Sequence, residues 1–347
     1  MGKIEGLLSE QERFIPRDGA QTLAVLFTPL HFPAGLFAYE RSFSSRPVHR
    51  LHVRDDSNGL FTCRIERIRS IVEAICSEYG VARRVYWGSS AGAYGAIMAA
   101  IDDPDAVGVA VSPHLYLEHP FSVAAGLRDS GVVFGSRHLD VRDSLSKAGS
   151  GHPIHLFFPL RSGKDAVHVV DAMALRGERV SCHFMTCHHG IEAELKAVGA
   201  YDAFINSLLV GEMLPECPLV ASPPEIAEAV IMKELYEAEY SEAVADTRFA
   251  KASTNNYELM YWASRQQFRR GDVFSAIGMG LKAIEIVTNA PPHYHVTLAN
   301  FAFTAGLWSL AVEHYERGFG LERESGIASD PGCLENYEFA KARRFQA

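Results

Sequence analysis

Residues 85–96 read Val-Tyr-Trp-Gly-Ser-Ser-Ala-Gly-Ala-Tyr-Gly-Ala, and they decide how the rest of the chain is read. The five residues Arg83 to Trp87 have the apolar, aromatic character of a strand, and Ala91 to Ala100 form a small-residue run suited to a buried helix. Between them Gly88, Ser90 and Gly92 make a G-x-S-x-G turn. A strand, a sharp turn and a helix are the setting of a nucleophile elbow, in which the middle serine stands above a sheet. Glycine is needed on either side because the turn brings backbone against backbone. The competing readings are a tight turn whose serine caps the helix and a nucleotide-binding turn. The second is the poorer match, because Ser90 occupies the place of the second glycine in G-x-G-x-x-G.

Outward from this turn, short β-rich runs alternate with amphipathic segments as far as residue 215. The runs are 22–27, 50–53, 83–87, 106–112, 153–159 and 179–185. Ile65, Ile68, Ile71, Val72 and Ile75 recur at helical spacing within 64–79, with Gly80 as the stop. Further helices are expected at 91–101, 166–176 and 191–209. This alternation predicts an α/β fold, a mostly parallel sheet with helices on both faces. Residues 113–150 break the rhythm and are read as an insertion or lid with local helices.

A serine nucleophile needs a base, and the base an orienting acid, in the chain order Ser, Asp or Glu, His. The run ending at Pro159 leads into Leu-Arg-Ser-Gly-Lys-Asp, placing Asp165 in a loop past a strand end. The next run ends at Met185 and leads into Thr-Cys-His-His-Gly, placing His188 and His189 in the matching loop. Catalytic groups of open α/β sheets collect at that edge. The assignment is Ser90 as nucleophile, Asp165 as acid and His189 as base, with His188 as the alternative base. His168 and Asp171 are expected on the helix after the acid loop. The Ala91 N–H is one oxyanion donor; since Pro29 has no N–H, Thr28 or Leu30 supplies the second. Cys182, His183, Cys187, His188 and His189 also invite a metal reading, but no second spaced ligand pair lies nearby and strand alternation separates Cys182 from His183. No metal and no cofactor are expected.

Composition bounds the partners. The chain has 347 residues and a formal charge of −9, which argues against a general nucleic-acid binder. No apolar run reaches the roughly 20 residues of a membrane span, and the N-terminal stretch lacks the apolar core of a secretory signal. Six scattered cysteines without a C-x-x-C pair read as reduced thiols, so the expected location is the cytoplasm.

Near residue 215 the pattern changes. Residues 214–225 carry four prolines and read as a linker, beyond which the chain is helical and repetitive. Ala243, Ala276 and Ala311 recur with Ala250, Ala283 and Gly318 seven residues on, preceded by Tyr236, Phe268 and Phe303. A period near 34 resembles tetratricopeptide repeats, without most of the Trp and Pro of their consensus; a generic helical bundle is the alternative. The domains are therefore drawn as 1–213, a linker 214–224, and a helical domain 225–347 expected to recruit a protein partner or self-associate.

The assembled features resemble the serine α/β-hydrolases, and within them the bacterial branch that includes accessory Sec system proteins of glycan acetylation. The resemblance rests on Phe37-x-Tyr39-x-Arg41, Arg-Asp-Asp at 54–56, the elbow and His-Gly-Ile at 189–191, over about residues 20–210. Ala93 stands where a second glycine is common, and the long N-terminal antiparallel strands of larger members are missing. The resemblance implies a serine hydrolase or acyltransferase acting through an acyl-enzyme, on a small acyl ester or an acylated glycan. A peptidase would share the same machinery. The reading from a different class is a catalytically idle hydrolase-fold scaffold whose helical repeats bind a protein.

Overall fold

The computed structural model describes all residues except 1, 31, 34, 121–122, 136–138, 242–255, 288 and 345–347. The chain divides into two compact units, Met1–Ile226 and Ala227–Ala347.

The first unit opens with α1 (Gly2–Glu5), β1 (Glu12–Ile15), β2 (Thr22–Phe27), α2 (Glu40–Phe43), β3 (His49–Val53) and α3 (Ile65–Tyr79). The elbow region comes next as β4 (Arg83–Ser89), α4 (Ala91–Ile101) and β5 (Ala106–Val111). Then come α5 (Val123–Asp129), α6 (Arg142–Ser146), β6 (Ile154–Pro159), α7 (Gly163–Ala174), β7 (Val180–Met185), α8 (Ile191–Ala197) and α9 (Tyr201–Val210). The seven strands form one sheet in the order β1-β3-β2-β4-β5-β6-β7, parallel except for β1. The fold is α/β, a mostly parallel sheet followed by an all-helical region.

The six predicted strands lie within a residue or two of those observed, because continuous apolar runs are what a strand covered on both faces requires. Strands β2, β5 and β6 are almost wholly buried, and β4 is buried over its middle four residues, Val85 to Gly88. The α3 stripe is buried at all five of its isoleucine and valine positions, and Gly80 ends the helix at φ +64°. α4 is buried along its first ten residues, which accounts for its lack of any polar face.

Three local readings change. β1 went unread because its sequence, Glu-Arg-Phe-Ile, is short and half charged; Glu12 is nonetheless buried, held by Arg64, Arg67 and Ser9. The helix expected over 191–209 is two helices, broken at Gly199, which adopts φ +72°. Pro-rich 214–222 is fastened to the first unit: the Thr186 N–H donates to Leu219 O, the Ala221 N–H to Phe184 O, and Val220 bridges Met185 antiparallel. Within 113–150, α5 and α6 supply the expected local helices.

The second helical region begins with α10 (Pro223–Glu239), whose start precedes the boundary between units. After it come α11 (Tyr257–Arg269), α12 (Val273–Ile286), α13 (Pro292–Thr304), α14 (Trp308–Glu324) and α15 (Pro331–Arg343). α11 and α12 are joined by three residues, 270–272, and α13 and α14 by 305–307, so each pair is a helical hairpin. Ala276, Ala283 and Ala311 are fully buried where these helices pack. Ala243 and Ala250 lie outside the described residues.

Candidate active site

Because β4, β6 and β7 run parallel, their C-terminal ends share one edge of the sheet, where Ser90, Asp165 and His189 stand. Ser90 is the residue between β4 and α4, and its backbone is held at φ 53°, ψ −121°. A non-glycine residue there is strained by about 1–3 kcal/mol, and such strain persists only where the surroundings over-determine it. The surroundings are visible. The Ser90 N–H donates to Val111 O at 2.8 Å, and the Ala93 N–H to Ser90 O at 3.0 Å. A Cβ at Gly88 would lie 2.1 Å from the Gly92 carbonyl oxygen, and one at Gly92 would lie 2.3 Å from Phe27 O. Both glycines are thus required by backbone packed on backbone. Ser90 makes no side-chain cap hydrogen bond, so its hydroxyl is not spent on α4.

Asp165 lies in the first turn of α7 rather than in a loop. Ser162 is the N-cap, and Ser162-x-x-Asp165 has the capping-box spacing that could have shown this from sequence. Asp165 is 1% exposed, and both its oxygens lie 3.0 Å from His189 Nδ1. Burial alone would raise its pKa, but His189 and further donors outweigh it and hold the carboxyl below its ordinary value. Asp165 in turn raises the basicity of His189, against burial. The His189 side chain remains 45% exposed, open to an incoming group.

His188 also feels the Asp165 charge, as a lesser influence. Burial lowers its pKa, and its backbone-directed contact is to Arg161. Among the described residues no hydrogen bond joins Ser90 Oγ to His189; catalytic contacts of this kind often tighten only when substrate is bound. His168 and Asp171 lie on α7 as expected, with Asp171 paired to Arg142 at 3.1 Å.

The Ala91 N–H begins α4 and has no intrahelical acceptor. The Thr28 N–H is committed to Val53 O at 2.9 Å, which extends the sheet by one bond. Of the two second-donor candidates this leaves Leu30, half-buried beyond β2. Among the described residues no group of three or more His, Cys, Asp or Glu could hold a metal.

Sequence reasoning missed a second layer. Ser112, at φ +52° just past β5, donates its hydroxyl to the His189 carbonyl at 2.6 Å and so anchors His189 from behind. Tyr39 OH donates to Ser89 Oγ at 2.9 Å, next to Ser90 in the chain. The Trp87 Nε1–H donates to Glu192 Oε1 at 3.1 Å. Burial pushes the Glu192 carboxyl up to about 7. The unfolded chain therefore releases this proton first as pH rises, so Glu192 lowers stability progressively from about pH 4.5 to about 7, by about 3 kcal/mol at most. Glu192→Gln keeps an acceptor for Trp87 and removes the charge. Denaturant unfolding should show it gaining on the wild type between pH 5 and pH 8; a constant difference would contradict this account.

No family model matches the chain, and no curated protein matches it. Solved structures do. MGS-M2, an α/β hydrolase enzyme from a Medee basin deep-sea metagenome library, is 12% identical with a TM-score of 0.39, over 60% of this chain and 96% of its own. The Pyrococcus furiosus esterase Pf2001 is 13% identical with a TM-score of 0.43, over 58% and 87%. The capsule O-acetyltransferase of Neisseria meningitidis serogroup A is 13% identical with a TM-score of 0.40, over 58% and 93%.

Proposed function

We propose that the chain is a serine esterase or acyltransferase working through Ser90, His189 and Asp165. The observation that carries this is the pairing of buried Asp165 with His189 beside a serine held at φ 53° with an uncommitted hydroxyl. In this reading Ser90 Oγ attacks an ester carbonyl while His189 Nε2 takes its proton, and Asp165 fixes the tautomer with Nδ1–H toward the carboxylate. The oxyanion is met by the Ala91 N–H and the Leu30 N–H. His189 returns the proton to the departing alcohol, and the acyl-enzyme passes to water or to an acceptor hydroxyl. No step calls for a cofactor.

The second unit supports a further part of the reading. α11 and α13 start 35 residues apart, as do α12 and α14, so Ala276 and Ala311 occupy one repeat position. Tetratricopeptide-like stacking of such hairpins would build a surface for a protein partner or a second copy. Cytoplasmic residence is supported by six unpaired cysteines. No helix among the described residues is long and apolar enough to cross a membrane.

The test is intact mass after exposure to a small fluorophosphonate, on the wild type and on Ser90→Ala. One adduct, lost in the variant, is expected. A folded wild type that takes no label would sink the reading.

A further inference from the structure

His114 and His168 are 4% and 0% exposed, and neither has a part in the chemistry above. Together they define a direction. The Leu115 N–H points to His168 Nδ1 at 3.4 Å, so that nitrogen accepts. A neutral imidazole carries one N–H, which places the His168 proton on Nε2. His168 Nε2 lies 3.0 Å from His114 Nδ1 and donates to it, so the His114 proton is in turn on Nε2. Burial keeps both rings neutral: it pushes His114 down to about 4 and His168 well below its ordinary value. The pair is therefore a relay with one free end, the His114 Nε2–H, which has no acceptor among the described residues.

The His114 ring lies beside the candidate site. The His114 ring centroid is 6.5 Å from that of His189, and Asp165 is close enough to act on His114 electrostatically. Among the described residues no hydrogen bond joins His114 to Asp165, whose ring partner is His189 Nδ1, so the His114 N–H is not taken up by the carboxylate. The oxyanion of an ester would sit at the start of α4, whereas His189 serves the oxygen of the alcohol that leaves or enters. A donor beside His189 therefore meets the alcohol half of the ester, not the acyl half.

We propose that His114 is a specificity-determining residue whose Nε2–H takes an oxygen on the alcohol portion of the substrate, selecting esters of sugars or polyols over esters of simple alcohols. This rests on the serine esterase or acyltransferase reading. A polar site of this kind discriminates because a substrate without the partner oxygen leaves a desolvated donor unpaired.

The experiment compares kcat/KM for a mono-O-acetylated methyl glucoside with that for hexyl acetate. The wild type should favour the glucoside, and His114→Phe should lower the ratio of the two by about tenfold. His168→Leu, which releases the tautomer, should lower it too, while His168→Gln, which restores an N–H toward His114 Nδ1, should recover most of it. Long-range proton–nitrogen correlation of the wild type should show His114 neutral and protonated on Nε2 at pH 6. An Nδ1–H tautomer, or equal losses on both esters, would overturn the proposal while a fluorophosphonate adduct at Ser90 keeps the esterase reading intact. A wild type inert to both esters and to the label overturns the two together.

Discussion

Asp165→Asn is expected to lower kcat/KM on an activated ester by about 10⁴-fold, with the fold retained. The carboxylate accepts from His189 Nδ1 through both oxygens at 3.0 Å, and this alone leaves Nε2 free to take the serine proton. An amide in its place presents an N–H to Nδ1. The imidazole then answers by moving its proton to Nε2, and a protonated Nε2 cannot act as base toward Ser90. The pH profile carries a second sign. Asp165 holds His189 above its ordinary value, and the base works only when neutral, so wild-type activity should rise with pH through a midpoint above 6.5. The residual activity of the variant should rise at lower pH. Steady-state kinetics across pH checks both, and a loss smaller than tenfold would remove Asp165 from its role.

Gly88→Ala should be the most damaging single methyl group in the sheet. Its Cβ would fall 2.1 Å from the Gly92 oxygen, 2.2 Å from the Gly92 carbon and 2.8 Å from the Ala93 nitrogen, all backbone. No side chain can turn aside to make room; relief requires moving α4 off β4. The expected penalty is about 4 kcal/mol or more, in the range reserved for overpacking and forced backbone. For a unit of this size that is a melting-point loss of about 10 °C, read by circular dichroism. A melting point within about 2 °C of the wild type would show that the elbow has slack.

The sheet was readable in the sequence because its central strands are covered on both faces and so consist of unbroken apolar runs, as in Thr22–Phe27 and Ala106–Val111. The elbow was readable because backbone crowding leaves glycine little competition at 88 and 92. The meeting of Asp165 and His189 could be anticipated from their places after β6 and β7, since strand ends on one edge are close whatever lies between. The features that escaped notice depend on contacts between distant segments. Tyr39 meets Ser89 across 50 residues and His114 meets His168 across 54, and no local pattern marks either pair. The Thr28 amide looked available until β3 was laid beside it. β1 carries a buried carboxylate that only the arginines of another element make tolerable.

The segment after α9 has a consequence of its own. A sheet of seven strands ends in two rims of unsatisfied amides and carbonyls, each a template on which another chain can grow. On one rim β1 is four residues long and carries charge. On the other, β7 meets Leu219, Val220 and Ala221, whose backbone takes up the Phe184 carbonyl and the Thr186 amide. Nearby, Pro215 and Pro218 have no N–H to offer outward, so the covering strip is a poor template for further strands. The sequence that leads from one unit to the next thus also stops the sheet from polymerising.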